Sequence, residues 1–75
     1  MTFTLISSDR CDYCSRAAAL LLNAGIAYER VYVEDTPWLK TIMQQAGLTT
    51  VPQIFRPDGQ LIGGYTQLRT YLGVD

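Results

Sequence analysis

The segment Arg10-Cys11-Asp12-Tyr13-Cys14 holds the only two cysteines of the chain, in a sequence without histidine. On a helix, positions i and i+3 lie on one side a turn apart, so these two sulfurs can close a disulfide with little backbone movement. The flanks suit that geometry. "TFTLI" is β-branched and aromatic, so residues 2–6 read as a strand leaving through the polar "SSDR". From Asp12 to Ala24 the chain is dominated by Ala and Leu, and Asn23, Ala24 and Gly25 suit a left-handed helix end. The pair therefore belongs at a strand–loop–helix junction.

Position divides the labour between the cysteines. Cys11 stands at the helix start, where free backbone N–H groups and the positive end of the helix dipole favour the thiolate, below the free thiol value of about 8.5. Cys14 lies one turn further in, shielded, able to attack a mixed disulfide formed on Cys11. Arg10 reinforces the thiolate and Asp12 opposes it. Asp12 also reads simply as an acid at a helix start. A structural zinc site needs four ligands, and one chain supplies two, so only a dimer could complete it. Two buried small hydrophobes would leave the junction unexplained.

Composition narrows the class. The 75 residues are expected to form one domain spanning 1–75, burying about 60% of the surface that its unfolded chain exposes. Apolar residues make up 48% and charged residues 17%, the balance of a globular protein. A net charge of -1 offers no broad field for nucleic acid or anionic lipid. The longest apolar run, Ala17 to Leu22, falls far short of the roughly 20 residues of a membrane span. "MTFTLISSDR" has neither the basic start nor the cleavage site of a signal peptide. The expected compartment is the cytoplasm, with no membrane or nucleic-acid partner. There, one close cysteine pair reads as redox or metal chemistry.

The remaining elements follow from periodicity. "IAYERVYV" alternates with period two and predicts a strand. Thr36 and Pro37 predict an N-cap and first turn, and Leu39, Ile42, Met43 and Ala46 one apolar stripe, before Gly47 ends the helix and Leu48 folds back. "QIFR" and "QLIG" flank Pro57-Asp58-Gly59 as a hairpin. Thr66 is an expected N-cap, with Leu68, Tyr71 and Leu72 on one face of a closing helix. Trp38 and Tyr32 read as packing or surface residues. The order β-α-β-α-β-β-α predicts one α/β domain, a four-stranded mixed sheet with helices on both faces.

Two further segments qualify as parts of a site. Val51 precedes Pro52 and is pushed towards extended geometry; a trans bond here would simply open a strand, whereas a cis bond would turn the Val51 N–H and C=O outward to an extended peptide. Gly63-Gly64 lets backbone approach a ligand, with a helix start beyond them suited to a carboxylate, or else makes a tight strand-to-helix turn.

"CDYC", "TVPQIF" and "IGGYTQL", in this order and spacing over all 75 residues, resemble the glutaredoxins, and the segment "VPQIFRPDGQLIGGYTQLRTYL" is most similar to phage-encoded members. The resemblance implies a thioredoxin-like fold and glutathione-dependent reduction of protein disulfides and glutathione mixed disulfides. It implies Cys11 as nucleophile and Pro52 in cis. Tyr13, Thr50, Val51 and Pro52 would line the glutathione groove, while Gly64, Tyr65 and Thr66 would hold the γ-glutamyl end. Glutathione is the implied co-substrate, with no tightly bound cofactor and no metal. The implied partners are disulfide-bearing proteins, with ribonucleotide reductase a candidate acceptor, and the expected state is a monomer, in the host cytoplasm if phage-encoded. Three departures stand out. Ser8 replaces a common lysine, for which Arg10 is the expected substitute as a carboxylate contact; Asp12 replaces a common proline; and Thr66 replaces a common aspartate. Family potentials lie at about -200 to -230 mV, and Asp12 places this chain towards the reducing end. Two alternatives are a thioredoxin-like donor recharged by a flavoprotein reductase and a glutathione-ligated [2Fe-2S] carrier.

Overall fold

Strand β1 (Phe3–Ser7) runs through the interior of a four-stranded sheet in a computed structural model that describes residues 1–74. It is followed by α1 (Asp12–Asn23), β2 (Tyr28–Tyr32), a 3-10 turn (Val33–Asp35), α2 (Pro37–Gln45), β3 (Gln53–Phe55), β4 (Leu61–Gly63) and α3 (Tyr65–Leu72). The strand order is β2-β1-β3-β4. β1 pairs in parallel with β2, Phe3 opposite Tyr28 and Ser7 opposite Tyr32, which is the β-α-β unit expected from the sequence. On its other side β1 meets β3 antiparallel, with Ile6 opposite Gln53, and β3 meets β4 antiparallel.

Burial explains the layering. Leu5 and Ile54 from the sheet, Ala17 and Leu21 from α1 and Leu68 from α3 are wholly buried in one cluster, flanked by Phe3, Tyr28, Ile62 and Leu72. On α1, Cys14, Ala17, Ala18 and Leu21 are the buried residues, at i, i+3, i+4 and i+7, so the helix turns a single stripe inward. Ile6 alternates with Leu5 and points to the other face, where α2 contributes its one buried residue, Met43.

Local chemistry sets the element ends. The Leu48 N–H donates to the Met43 carbonyl at 2.7 Å across Gly47, whose φ of +78° closes α2 as predicted. In the hairpin turn, the Gln60 N–H donates to Asp58 Oδ1 at 3.0 Å, and Arg56 pairs with Asp58 at 3.0 Å. Several boundaries differ from the sequence reading. The second strand stops at Tyr32, and Val33–Asp35 tighten into the 3-10 turn. Thr36 precedes α2 but its hydroxyl makes no capping hydrogen bond. Ile42 and Ala46, placed on the apolar stripe by periodicity, are exposed, because α2 is short and meets the rest of the chain mainly at the turn before it. Thr66 is not a cap: α3 starts two residues earlier than that cap would set it, at Tyr65, with Gly64 as N-cap. Among the described residues, no helix is long and apolar enough to cross a membrane.

Leu21→Ala is expected to destabilise the domain by about 3 kcal/mol and Ile42→Ala by less than about 0.5 kcal/mol, both read from urea unfolding. Equal losses would mean that α2 buries the face its periodicity suggests.

Candidate active site

The end of β1 and the start of β3 lie side by side, so the loop after one and the loop before the other emerge at the same edge of the sheet. The first loop carries Cys11, the N-cap of α1 in extended geometry; its Sγ accepts from the Cys14 N–H at 3.2 Å. Cys11 and Cys14 are joined as a disulfide with Cα atoms 5.2 Å apart, inside the range that bridge requires. Their exposure is unequal. Cys14 is fully buried, 0% exposed, beneath the first turn of α1, whereas Cys11 is half-buried and open at the surface. Arg10, just before it, has a φ of +60°, a left-handed conformation that swings the chain into the helix.

This loop is tied to the turn that follows the neighbouring strand β2 by Glu34. Its carboxylate accepts from the Ser8 hydroxyl and, at 3.2 Å, from the Asp9 N–H. The Ser8 bond is the main reason that the Glu34 carboxyl titrates below its ordinary value of 4.5, with help from the backbone amides and from Lys40.

The second loop brings Val51, whose carbonyl oxygen lies 3.9 Å from Cys11 Sγ. The Val51-Pro52 peptide is cis, and Pro52 is buried. The turn is braced by Gln53, whose Nε2 donates to the Thr50 carbonyl at 3.0 Å. The third part is Gly63-Gly64. Gly63 has a φ of +125°, and a Cβ there would stand 2.9 Å from Gln67 Cγ, so the absent side chain makes room for Gln67. Gln67 in turn accepts from the Gly64 N–H at 3.0 Å, holding the start of α3.

Between these parts runs a trough of about 200 Å³ lined by Tyr13, Thr50, Val51, Pro52, Gly64, Tyr65, Thr66 and Gln67. The Tyr13 and Tyr65 rings face each other with centroids 5.7 Å apart. Every groove position singled out in the sequence is brought together here except Arg10. Arg10 instead lines a separate depression with Cys11, Asp12 and Ser15, because its left-handed backbone turns it away from the trough. Gln67 was missed by the sequence reading; the Gly64-x-x-Gln67 spacing of a helix start was the available signal. Asp12 pairs with Arg16 at 2.9 Å, an exposed i,i+4 bridge, and the Arg16 guanidinium sits 5.3 Å over the Tyr13 ring. Among the described residues no group of three or more His, Cys, Asp or Glu is placed to hold a metal ion.

A redox-active cysteine pair at a helix start, set against a cis-proline loop on a thioredoxin-like sheet, defines a thiol–disulfide oxidoreductase. Residues 3–62 match the glutaredoxin family model, and the chain belongs to that family, with the cysteine spacing of its dithiol branch. It is similar to Glutaredoxin 3 of Escherichia coli, 35% identical over 65 residues that cover 85% of this chain and 77% of that protein. It is similar too to the glutaredoxin of Enterobacteria phage T4, 34% identical, covering 83% of this chain and 84% of the phage protein. Among solved structures it resembles a buckwheat glutaredoxin–glutathione complex, with a TM-score of 0.76 at 25% identity, covering 96% of this chain and 79% of that one.

Because the Glu34 carboxyl is lowered in the folded chain, its contribution to stability is complete above about pH 4.5 and fades as pH falls through the lower folded value. The stability gap between wild type and Glu34→Gln is therefore expected to be widest above pH 4.5 and to narrow in more acid solution, as followed by thermal melts across that range.

Proposed function

We propose that this domain, residues 1–75, is a cytoplasmic dithiol glutaredoxin that reduces protein disulfides and glutathione mixed disulfides at the expense of glutathione. The Cys11 thiolate attacks a substrate disulfide, forming a mixed disulfide and releasing one thiolate. Cys14 then attacks the Cys11 sulfur, releases the second product thiol and closes the Cys11–Cys14 bridge. One glutathione reopens the bridge as a mixed disulfide on Cys11, and a second leaves with the first as glutathione disulfide. No bound cofactor takes part. Disulfide-bearing proteins are the acceptors, ribonucleotide reductase a candidate among them.

The observation that carries this reading is the asymmetry of the pair: an open Cys11 whose sulfur receives the Cys14 N–H and lies beside Val51, and a Cys14 sealed beneath it. An N–H aimed at a sulfur favours its anion, and the anion is the attacking species. The trough gives the reading its co-substrate. Its lining by Thr50, Val51 and Pro52 suits an extended tripeptide, the start of α3 at Gly64 to Thr66 suits the γ-glutamyl carboxylate, and the buckwheat relative was solved with glutathione bound. Arg10, outside the trough, is free to meet the other half of a mixed disulfide.

Two measurements test this. In a glutathione-coupled assay, Cys11→Ser is expected to abolish turnover on every disulfide, while Cys14→Ser keeps activity on glutathione mixed disulfides and loses most activity on protein disulfides. Turnover with thioredoxin reductase in place of glutathione would favour the thioredoxin-like alternative. Thr66→Asp restores an anion at the end of the trough and is expected to lower the KM for a glutathione mixed disulfide several-fold with kcat little changed; an unmoved KM would remove Thr66 from the site.

A further inference from the structure

Arg30, in the middle of β2, is half-buried and takes no part in the chemistry above. Its Nε donates to the hydroxyl of Ser7 at 3.1 Å, and its terminal nitrogen lies 3.5 Å from the hydroxyl of Ser15. Ser7 is the last residue of β1 and is 0% exposed; Ser15 is in the first turns of α1, where its N–H donates to the Cys11 carbonyl at 3.2 Å. One planar guanidinium thus grips both ends of the segment that carries the cysteines. The Tyr32 ring, 4.9 Å from the guanidinium carbon, holds it from the side.

We propose that Arg30 is a positioning residue for the thiol–disulfide reaction: it clamps Ser7 to Ser15 and so fixes a positive charge beside the first turn of α1, where the Cys11 thiolate forms. The proposal rests on the dithiol chemistry of Cys11 and Cys14, not on which thiol recharges it. Reduction of the disulfide by two thiols delivers two electrons and two protons, one proton to each sulfur, and leaves those thiols joined as their own disulfide. The Cys11 proton then passes to water, and a negative charge appears about one helical turn, roughly 5.4 Å along the axis, from Ser15.

The other charges near Cys11 do less. Arg10 is exposed, and Asp12 and Arg16 offset each other in a bridge whose side chains are 74% and 56% exposed. From the β3 side the neutral Val51 carbonyl lies against the Cys11 sulfur. Arg30 is a cation held by two hydrogen bonds and partly shielded from water, so its field reaches further than that of a solvated side chain, whereas the Glu34 carboxylate, also held by two hydrogen bonds at Ser8 and Asp9, is exposed.

The test is the pH dependence of Cys11 alkylation by iodoacetamide in the reduced protein, compared among wild type, Arg30→Met and Arg30→Lys. Arg30→Met is expected to raise the Cys11 midpoint by about half a unit to one unit, which slows alkylation below the midpoint about three- to tenfold. The dithiol–disulfide potential, measured against a thiol buffer, should become more reducing in parallel, because the reduced form loses a stabilising charge. Arg30→Lys keeps the charge and should recover most of the midpoint, and the gap between wild type and Arg30→Met should shrink in high salt. If Arg30→Met does not fold, Ser15→Ala frees one arm of the guanidinium and is expected to move the midpoint in the same direction by a smaller amount. An unmoved midpoint in the folded variants, or a lysine variant displaced as far as the methionine one, overturns the proposal.

Discussion

The antiparallel pairing of β1 with β3, Ile6 against Gln53, is the contact on which the site depends. Cys11 and Val51 are separated by most of the chain, and neither has any local reason to meet the other. Once Ile6 stands opposite Gln53, the loop leaving β1 and the loop entering β3 are forced to the same edge, and the Cys11 sulfur comes to rest 3.9 Å from the Val51 carbonyl. A slip of one residue would send Leu5 and Ile54, both wholly buried, to opposite faces, so the same apolar burial that stabilises the sheet also aligns the site.

Helix α1 adds the electrostatic half. Its apolar stripe seats Cys14, Ala17, Ala18 and Leu21 against the core, which leaves the helix start at the surface with Cys11 as its cap. Packing and reactivity are therefore coupled. The residue that must be shielded shares the buried stripe, and the residue that must be reached sits where that stripe ends. Three bonded groups then hold the cysteine loop: Glu34 at Ser8 and Asp9, Arg30 at Ser7 and Ser15, and the Cys14 N–H at the sulfur itself.

Legibility followed the range of the interaction. The hairpin was readable because Pro57-Asp58-Gly59 carries its own turn chemistry, and the end of α2 because Gly47 accommodates a left-handed residue that lets Leu48 bond back to Met43. Ile42 was misread because periodicity marks which side chains could be buried, not whether another element arrives to bury them. Thr66 was misread for a related reason: hydroxyl residues favour caps, yet Gln67 satisfied the Gly64 N–H first and moved the helix start.

By itself, the sequence determined the order of elements and the pairing of Cys11 with Cys14 at a helix start, because spacing, turn residues and capping act over a few positions; the grouping of TVP and GGYT as companion segments came from the resemblance to the glutaredoxins. Only the tertiary structure decided the placing of the Val51 carbonyl beside the Cys11 sulfur, the turning of Arg10 out of the trough and the bridging of Ser7 and Ser15 by Arg30. Those outcomes depend on strand register and on which way a side chain points from it, and register is set by burial summed over the whole sheet.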